Sequence, residues 1–243
     1  MGIAGAAEDA KAAREAGLDI GDAQARGIGL EGWAKSTDGL VPEQMIRAEL
    51  ERSSEDVLTI ASVLQAEGVR LLGIDAPSAA VEAFEESQRL FRRAGMKNAG
   101  VSPVRPWLLT ALLRDAEAKP KGDRRRRALA RRARSVARQA SRRARFYRND
   151  LPHVLRERAR LAALGGRHRR SRGLFARSIE VATDQGARAE ALRTRISRGE
   201  VGRELGWKDA AADGARAEGE LRALISEQGA PTPTASRGSG SMP

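Results

Sequence analysis

The chain contains no cysteine, which excludes disulfides, thiolate nucleophiles and cysteine metal sites. Aromatic residues are 3% of the 243 residues, too few for a β-sandwich or barrel built on aromatic and β-branched cross-strand pairs. Alanine and leucine do most of the apolar work instead, a composition suited to closely packed helices. No apolar run approaches the roughly 18 residues needed to span a bilayer. The first twenty residues carry charges throughout and lack an apolar signal core, and Ala6 stands where a myristoylation signal wants Ser or Thr. The expectation is a soluble, cytoplasmic protein with no membrane partner. The sequence also lacks a glycine-rich loop ending in Gly-Lys-Ser/Thr and a Gly-x-Ser-x-Gly elbow. Of its two histidines, His153 forms an i, i+4 pair with Glu157, a spacing that can put two ligands on one helix face. No third ligand accompanies them, so the pair reads as a solvated surface pair. No catalytic, cofactor-binding or metal residue is assigned, and the chain reads as a non-enzyme.

Charge is abundant and uneven. The net charge is +12, but residues 119–172 hold 21 Lys and Arg against three acids, so the remainder is net acidic. Arginine far exceeds lysine, a bias that a GC-rich coding sequence also produces. The basic stretch therefore has three readings: a solvated face inflated by composition, a surface for an acidic protein partner, or a nucleic-acid surface. Interleaved aromatics for base stacking are missing apart from Phe146 and Tyr147, which ranks nucleic acid below protein. Arg125, Arg132, Arg142 and Arg143 lie off the apolar stripe of this segment and are the candidate partner-binding residues.

The stretch from Asp56 to Gly95 organises the rest. Two runs of helical periodicity flank Gly73-Ile74-Asp75-Ala76-Pro77, with Ile60, Ala61, Leu64, Gly68 and Leu72 in the first and Ala80, Val81, Phe84, Ser87 and Phe91 in the second. Each has one apolar stripe and a charged back, so the two must pack as a hairpin and still need a neighbour. This hairpin resembles a tetratricopeptide (TPR) repeat: Gly68 and Ala80 fall on its small positions and Phe84 on its aromatic position. Leu64 and Leu71 replace the usual tryptophan and tyrosine, and Arg92 stands at the closing proline. A second copy follows at an offset of 91 residues, with Leu155, Ala159, Ser171, Phe175 and Ser178 answering Leu64, Gly68, Ala80, Phe84 and Ser87.

In chain order, residues 1–41 are broken by glycines and predict a weakly structured or partial helical segment. Gly27-Ile28-Gly29-Leu30-Glu31-Gly32 matches a dinucleotide-binding fingerprint, but no strand precedes it, so it is set aside. Pro42 opens a short helix, and Ser53 or Ser54 is the expected cap of the first TPR-like helix. Ser102-Pro103 begins a helix carrying Trp107, Leu108, Ala111 and Leu112. The basic segment from Arg124 to Arg145 packs on it through Leu129, Ala133, Val136, Ala140 and Ala144. A last hairpin turns at Gly206-Trp207-Lys208-Asp209. Residues 228–243 are rich in Pro, Gly, Ser and Thr and predict a disordered tail. The repeat domain is thus 42–227, an all-α, right-handed TPR-like solenoid of about four hairpins.

The segment NDLPHVLRERARLAALGGRHRRSRGLFARSIEVATDQGAR resembles the divergent TPR-like helical region of large bacterial signalling ATPases and sensor kinases, over about residues 55–225. That resemblance implies a scaffold without catalytic residues or cofactors, making protein–protein contacts in a bacterial regulatory system. Binding of nucleic acid through 119–172 is the alternative. Because the tail cannot bury enough apolar surface to offset its ordering entropy, truncation after Gln228 should leave the urea midpoint unchanged. A clear drop would show that the tail docks.

Overall fold

The computed structural model describes residues 6–52, 56–95 and 104–229. They form eleven α-helices and no strand among the described residues: α1 (Ala6–Asp19), α2 (Ala23–Ser36), α3 (Glu43–Arg52), α4 (Val57–Gly73), α5 (Pro77–Arg93), α6 (Val104–Glu117), α7 (Arg124–Arg143), α8 (Leu151–Leu164), α9 (His168–Asp184), α10 (Arg188–Leu205) and α11 (Ala210–Gly229). The all-α expectation holds. Five hairpins pair α1 with α2, α4 with α5, α6 with α7, α8 with α9 and α10 with α11, while α3 lies alone beside α4. The second helix of one hairpin packs on the first helix of the next at α5–α6, α7–α8 and α9–α10. The first helices also touch along the series from α4 to α10. At the far end α11 reaches α1, so the first and last described helices touch.

Local signals set the boundaries. Pro77 opens α5 within its first turn, where its missing N–H costs nothing. Gly95 follows α5 with φ of 67°, the left-handed conformation that ends a helix most easily without a Cβ. The cap of α4 is Asp56, which accepts from Leu58 N at 3.0 Å and Thr59 Oγ1 at 2.6 Å. The aspartate adds a negative charge at the positive helix end, which neither serine could. Ser53, Ser54, Ser102, Pro103 and residues 230–243 lie outside the described residues.

The N-terminal segment departs from expectation. Residues 6–36 are not weakly structured but form a complete hairpin, raising the number of hairpins from about four to five. Gly21 and Gly39 do lie between helices at positive φ, but Gly27 and Gly29 are part of the packing surface of α2. A Cβ on Gly29 would stand 2.6 Å from Ala10 O on α1, and one on Gly27 would stand 3.0 Å from Thr59 Cγ2 on α4. The Gly27–Gly32 fingerprint is therefore mid-helix and lets three backbones approach closely. The helical cost of each glycine, about 1 kcal/mol relative to alanine, is offset by that packing.

The 91-residue repeat is visible atom for atom. Phe84 and Phe175 are both 0% exposed, and Ala80, Ala159 and Ser171 are fully buried. Ser87 Oγ donates to Ala61 O at 2.7 Å, and Ser178 Oγ donates to Pro152 O at the same 2.7 Å and the same separation of 26 residues. Donor and acceptor are each displaced by the repeat offset, so the hairpins share a buried polar bond as well as a hydrophobic pattern. One apolar core runs from α2 to α8 through Leu30, Val69, Phe84, Leu109, Leu112 and Leu161. Phe175, Ala159 and Trp207 belong to a separate, smaller cluster.

Phe84→Ala or Phe175→Ala should each cost about 3–5 kcal/mol in urea melts, as for other buried aromatics. Gly68→Ala should also destabilise, because its Cβ would lie 2.6 Å from the Phe84 ring. Losses under about 1 kcal/mol for both phenylalanines would contradict the packing described.

Candidate interaction surface

Helix α7 is positioned by its alanine-rich stripe. Leu129, Ala130, Ala133, Ala137 and Ala140 are buried against neighbouring helices, which leaves every other face to arginine. Arg126 turns back to donate to Glu117 O at 3.3 Å and Lys119 O at 2.7 Å, closing the end of α6. Arg124, Arg125, Arg127, Arg131, Arg134, Arg138, Arg142 and Arg145 are exposed. The first turn of α7 holds no acid and four arginines, an unfavourable placement at the positive end of a helix dipole.

The four arginines singled out from the sequence do not form one patch. Arg125 and Arg142 stand near opposite ends of α7, about 26 Å apart by helical rise. Arg132 is paired across the hairpins with Glu85 of α5. Arg143 is half-buried, with its guanidinium 5.8 Å from the Tyr147 ring centre. What they share is a long basic strip. Arg125, Arg131, Arg134, Arg138, Arg142 and Arg145 form no ion pair with any described residue. Some arginines elsewhere find carboxylates, as in Arg26–Glu49, Arg70–Glu67 and Arg195–Asp213, while others, such as Arg93, Arg167 and Arg203, are exposed without one. At the end of the strip Phe146 is 84% exposed, a large aromatic side chain left in water beside Arg145.

The second polar feature is internal and escaped sequence reasoning. His153 and Glu157 are not a solvated pair but are buried between α6, α8 and α10, with Glu157 1% exposed. His153 Nε2 lies 2.8 Å from Thr110 Oγ1, and its ring meets Trp107 edge-on at 4.9 Å. Arg156 donates to Glu157 at 3.0 Å and to Glu190 at 2.6 Å. Arg193 donates to Glu190 at 3.0 Å, to Asp38 at 2.8 Å and to Lys35 O at 3.2 Å, while Arg160 pairs with Glu117. This network joins the N-terminal hairpin to α10 and borders a cavity of about 280 Å³ lined by Trp107, Arg114, Arg160, Ile196 and Ser197 among others. Burial pushes His153 down to about 3, with the neighbouring Arg156 adding to it. Burial opposes ionisation of Glu190, but Arg156 and Arg193 overcome it and hold the carboxyl at about 2. The imidazole is thus neutral, and Glu157 and Glu190 are ionised, at neutral pH. His153 is committed to Thr110, and no group of three or more acidic or histidine side chains suited to a metal occurs among the described residues. The i, i+4 spacing was legible; its burial depends on helices far away in sequence.

Because His153 binds a proton readily only when unfolded, its contribution to stability is complete above pH 6.5 and is lost as pH falls toward about 3. The slope from this group alone is about 1.4 kcal/mol per pH unit. Glu190 and Glu157 contribute losses only below their ordinary value of 4.5. Urea midpoints between pH 6.5 and 5 should therefore fall in the wild type and fall less in His153→Gln. Parallel curves would show that the imidazole is not held neutral.

No helix among the described residues is long and apolar enough to cross a membrane. Comparison with protein-family models, with curated proteins and with solved structures finds no match to the chain.

Proposed function

We propose that the protein is a non-catalytic scaffold of TPR-like hairpins, wound as a right-handed solenoid, that binds an acidic protein partner through the arginine strip of α7. The observation that carries this reading is the concentration of unpaired charge on one helix: Arg131, Arg134, Arg138 and Arg142 are exposed along α7 with no ion pair among the described residues, and exposed Phe146 stands at its end. Like charges held along a helix repel one another, and a negative partner relieves that repulsion. Exposed Phe146 supplies what a charged surface lacks, an aromatic anchor of the kind that dominates protein interfaces. The resemblance to the helical region of bacterial signalling ATPases and sensor kinases points the same way and suggests a cytoplasmic regulatory setting. Phe146 also suits base stacking, which keeps nucleic acid as the second reading.

The variant Arg125→Gln, Arg132→Gln, Arg142→Gln and Arg143→Gln separates the two. Its fold should survive, since only Arg132 loses an ion pair and an exposed pair is worth about 0–1 kcal/mol. An acidic protein captured by the wild type should bind the variant more weakly, mainly through slower association. Wild-type binding to short duplex DNA should be feeble at 150 mM salt. Micromolar or tighter duplex binding at that salt, lost in the variant and with a steep salt slope, would replace the protein reading with the nucleic-acid one.

A further inference from the structure

Three arginines converge where α5 ends, α6 begins and α7 ends, and nothing described neutralises them. Arg92 lies in the last turn of α5, Arg105 in the first turn of α6 and Arg143 in the last turn of α7, and α6 packs against both other helices. Nε and Nη1 of Arg105 and Nε of Arg143 are enclosed and donate to no acceptor. Arg92 spends its Nε on Gln88 O at 3.2 Å. None of the three forms an ion pair among the described residues. Arg105 is doubly misplaced for a structural role, as a half-buried cation at the positive end of a helix. Burial, then Arg143 and then Arg92 push its pKa down, so the three charges lie close enough to repel. No acidic side chain among the described residues pairs with them, in contrast to the interior network, where the buried Arg156 and Arg160 have carboxylates.

Enclosed guanidinium donors with no protein acceptor suit an anion. The charge to be neutralised exceeds one, and the donors come from three helices rather than from one fork. A carboxylate, planar and singly charged, answers only part of that. A phosphate monoester carries nearly two negative charges at neutral pH and presents three strong acceptor oxygens in different directions. We propose that Arg92, Arg105 and Arg143 form a binding site for a phosphomonoester dianion, supplied either as free phosphate or as a phosphoryl group on another molecule. The site shares Arg143 with the proposed partner surface, so Arg105→Met, which leaves the α7 arginines in place, tests it apart from that reading. Arg105 and Arg143 are the core of it, because theirs are the enclosed donors.

The test uses the full chain, inorganic phosphate as the probe, and sodium chloride to hold ionic strength constant. Calorimetric titration at pH 7.5 should show binding, and Arg105→Met and Arg143→Gln should each weaken it about tenfold or more, the loss expected for a charge-assisted bond. Without phosphate, Arg105→Met should melt no lower than the wild type, since it removes an uncompensated cation. Should that variant fail to fold, Arg143→Gln carries the comparison. Binding should also weaken at pH 5.5, where phosphate, with a second pKa of about 6, becomes a monoanion. A phosphoserine peptide and its unmodified form distinguish the sources: tighter binding of the phosphopeptide than of phosphate assigns the site to a modified chain, and equal binding assigns it to the free ion. Absence of phosphate binding, or binding unchanged in both variants, overturns the proposal. So does displacement of phosphate by duplex DNA that itself depends on Arg105, because its diester phosphates are monoanions.

Discussion

Each of the two related hairpins depends on one phenylalanine pressed against a residue with almost no side chain. Phe84 fills the space beside Gly68, where even a methyl group would overlap the ring, and Phe175 occupies the corresponding place with Ala159 in its cluster. In a chain so poor in aromatics this single knob fixes how near the paired helices come. At that distance a serine hydroxyl on one helix can reach a backbone carbonyl on the other, as Ser87 and Ser178 do. The buried hydroxyls would be a penalty at any other spacing. The same solution appears without the aromatic in the last hairpin, where Gly199 and Gly214 face each other so closely that a Cβ on either would fall within 3 Å of the opposite backbone.

Charge is handled in two opposite ways. Between α8 and α10 the continuous apolar core gives out, and buried arginines and carboxylates take over. Desolvating so many charges is costly, and pairing returns that cost only when every member is present. Removing Glu190 alone would take a carboxylate from both Arg156 and Arg193, leaving Glu157 to the first and Asp38 to the second. The network is therefore poor as glue but strict as a template, because it accepts one relative placement of four hairpins. On the outer strip of α7, Arg131, Arg134, Arg138 and Arg142 have no such carboxylate among the described residues, which directs a search for partners to that face.

What the sequence disclosed follows from the range of the signals. Phe84, Phe175 and their small neighbours were legible because a knob and its hole recur within one hairpin, and the Gly95 and Pro77 boundaries were legible because they are local. The first hairpin was not, since glycine read locally is a helix breaker, whereas Gly27 and Gly29 serve contacts with α4 and α1. The burial of His153 and Glu157 was invisible for a similar reason. Two polar residues four apart mark a wet helix face until Thr110 and Arg193, from helices remote in sequence, cover them. Arg132 looked like its neighbours and proved to be paired only because Glu85, 47 residues earlier, happens to pass opposite.

The meeting of Asp38 and Arg193 across 155 residues sets an order of events during synthesis. At about 5–20 residues per second, the loop bearing Asp38 waits about 10–30 s for its partner to be made. The hairpins between them can form and stack in turn meanwhile, because each needs only its neighbours. What stays open in the interval is a mixed face: Arg156 and Glu157, which water solvates well, beside the Phe175 side that later meets Trp207 and Ala210.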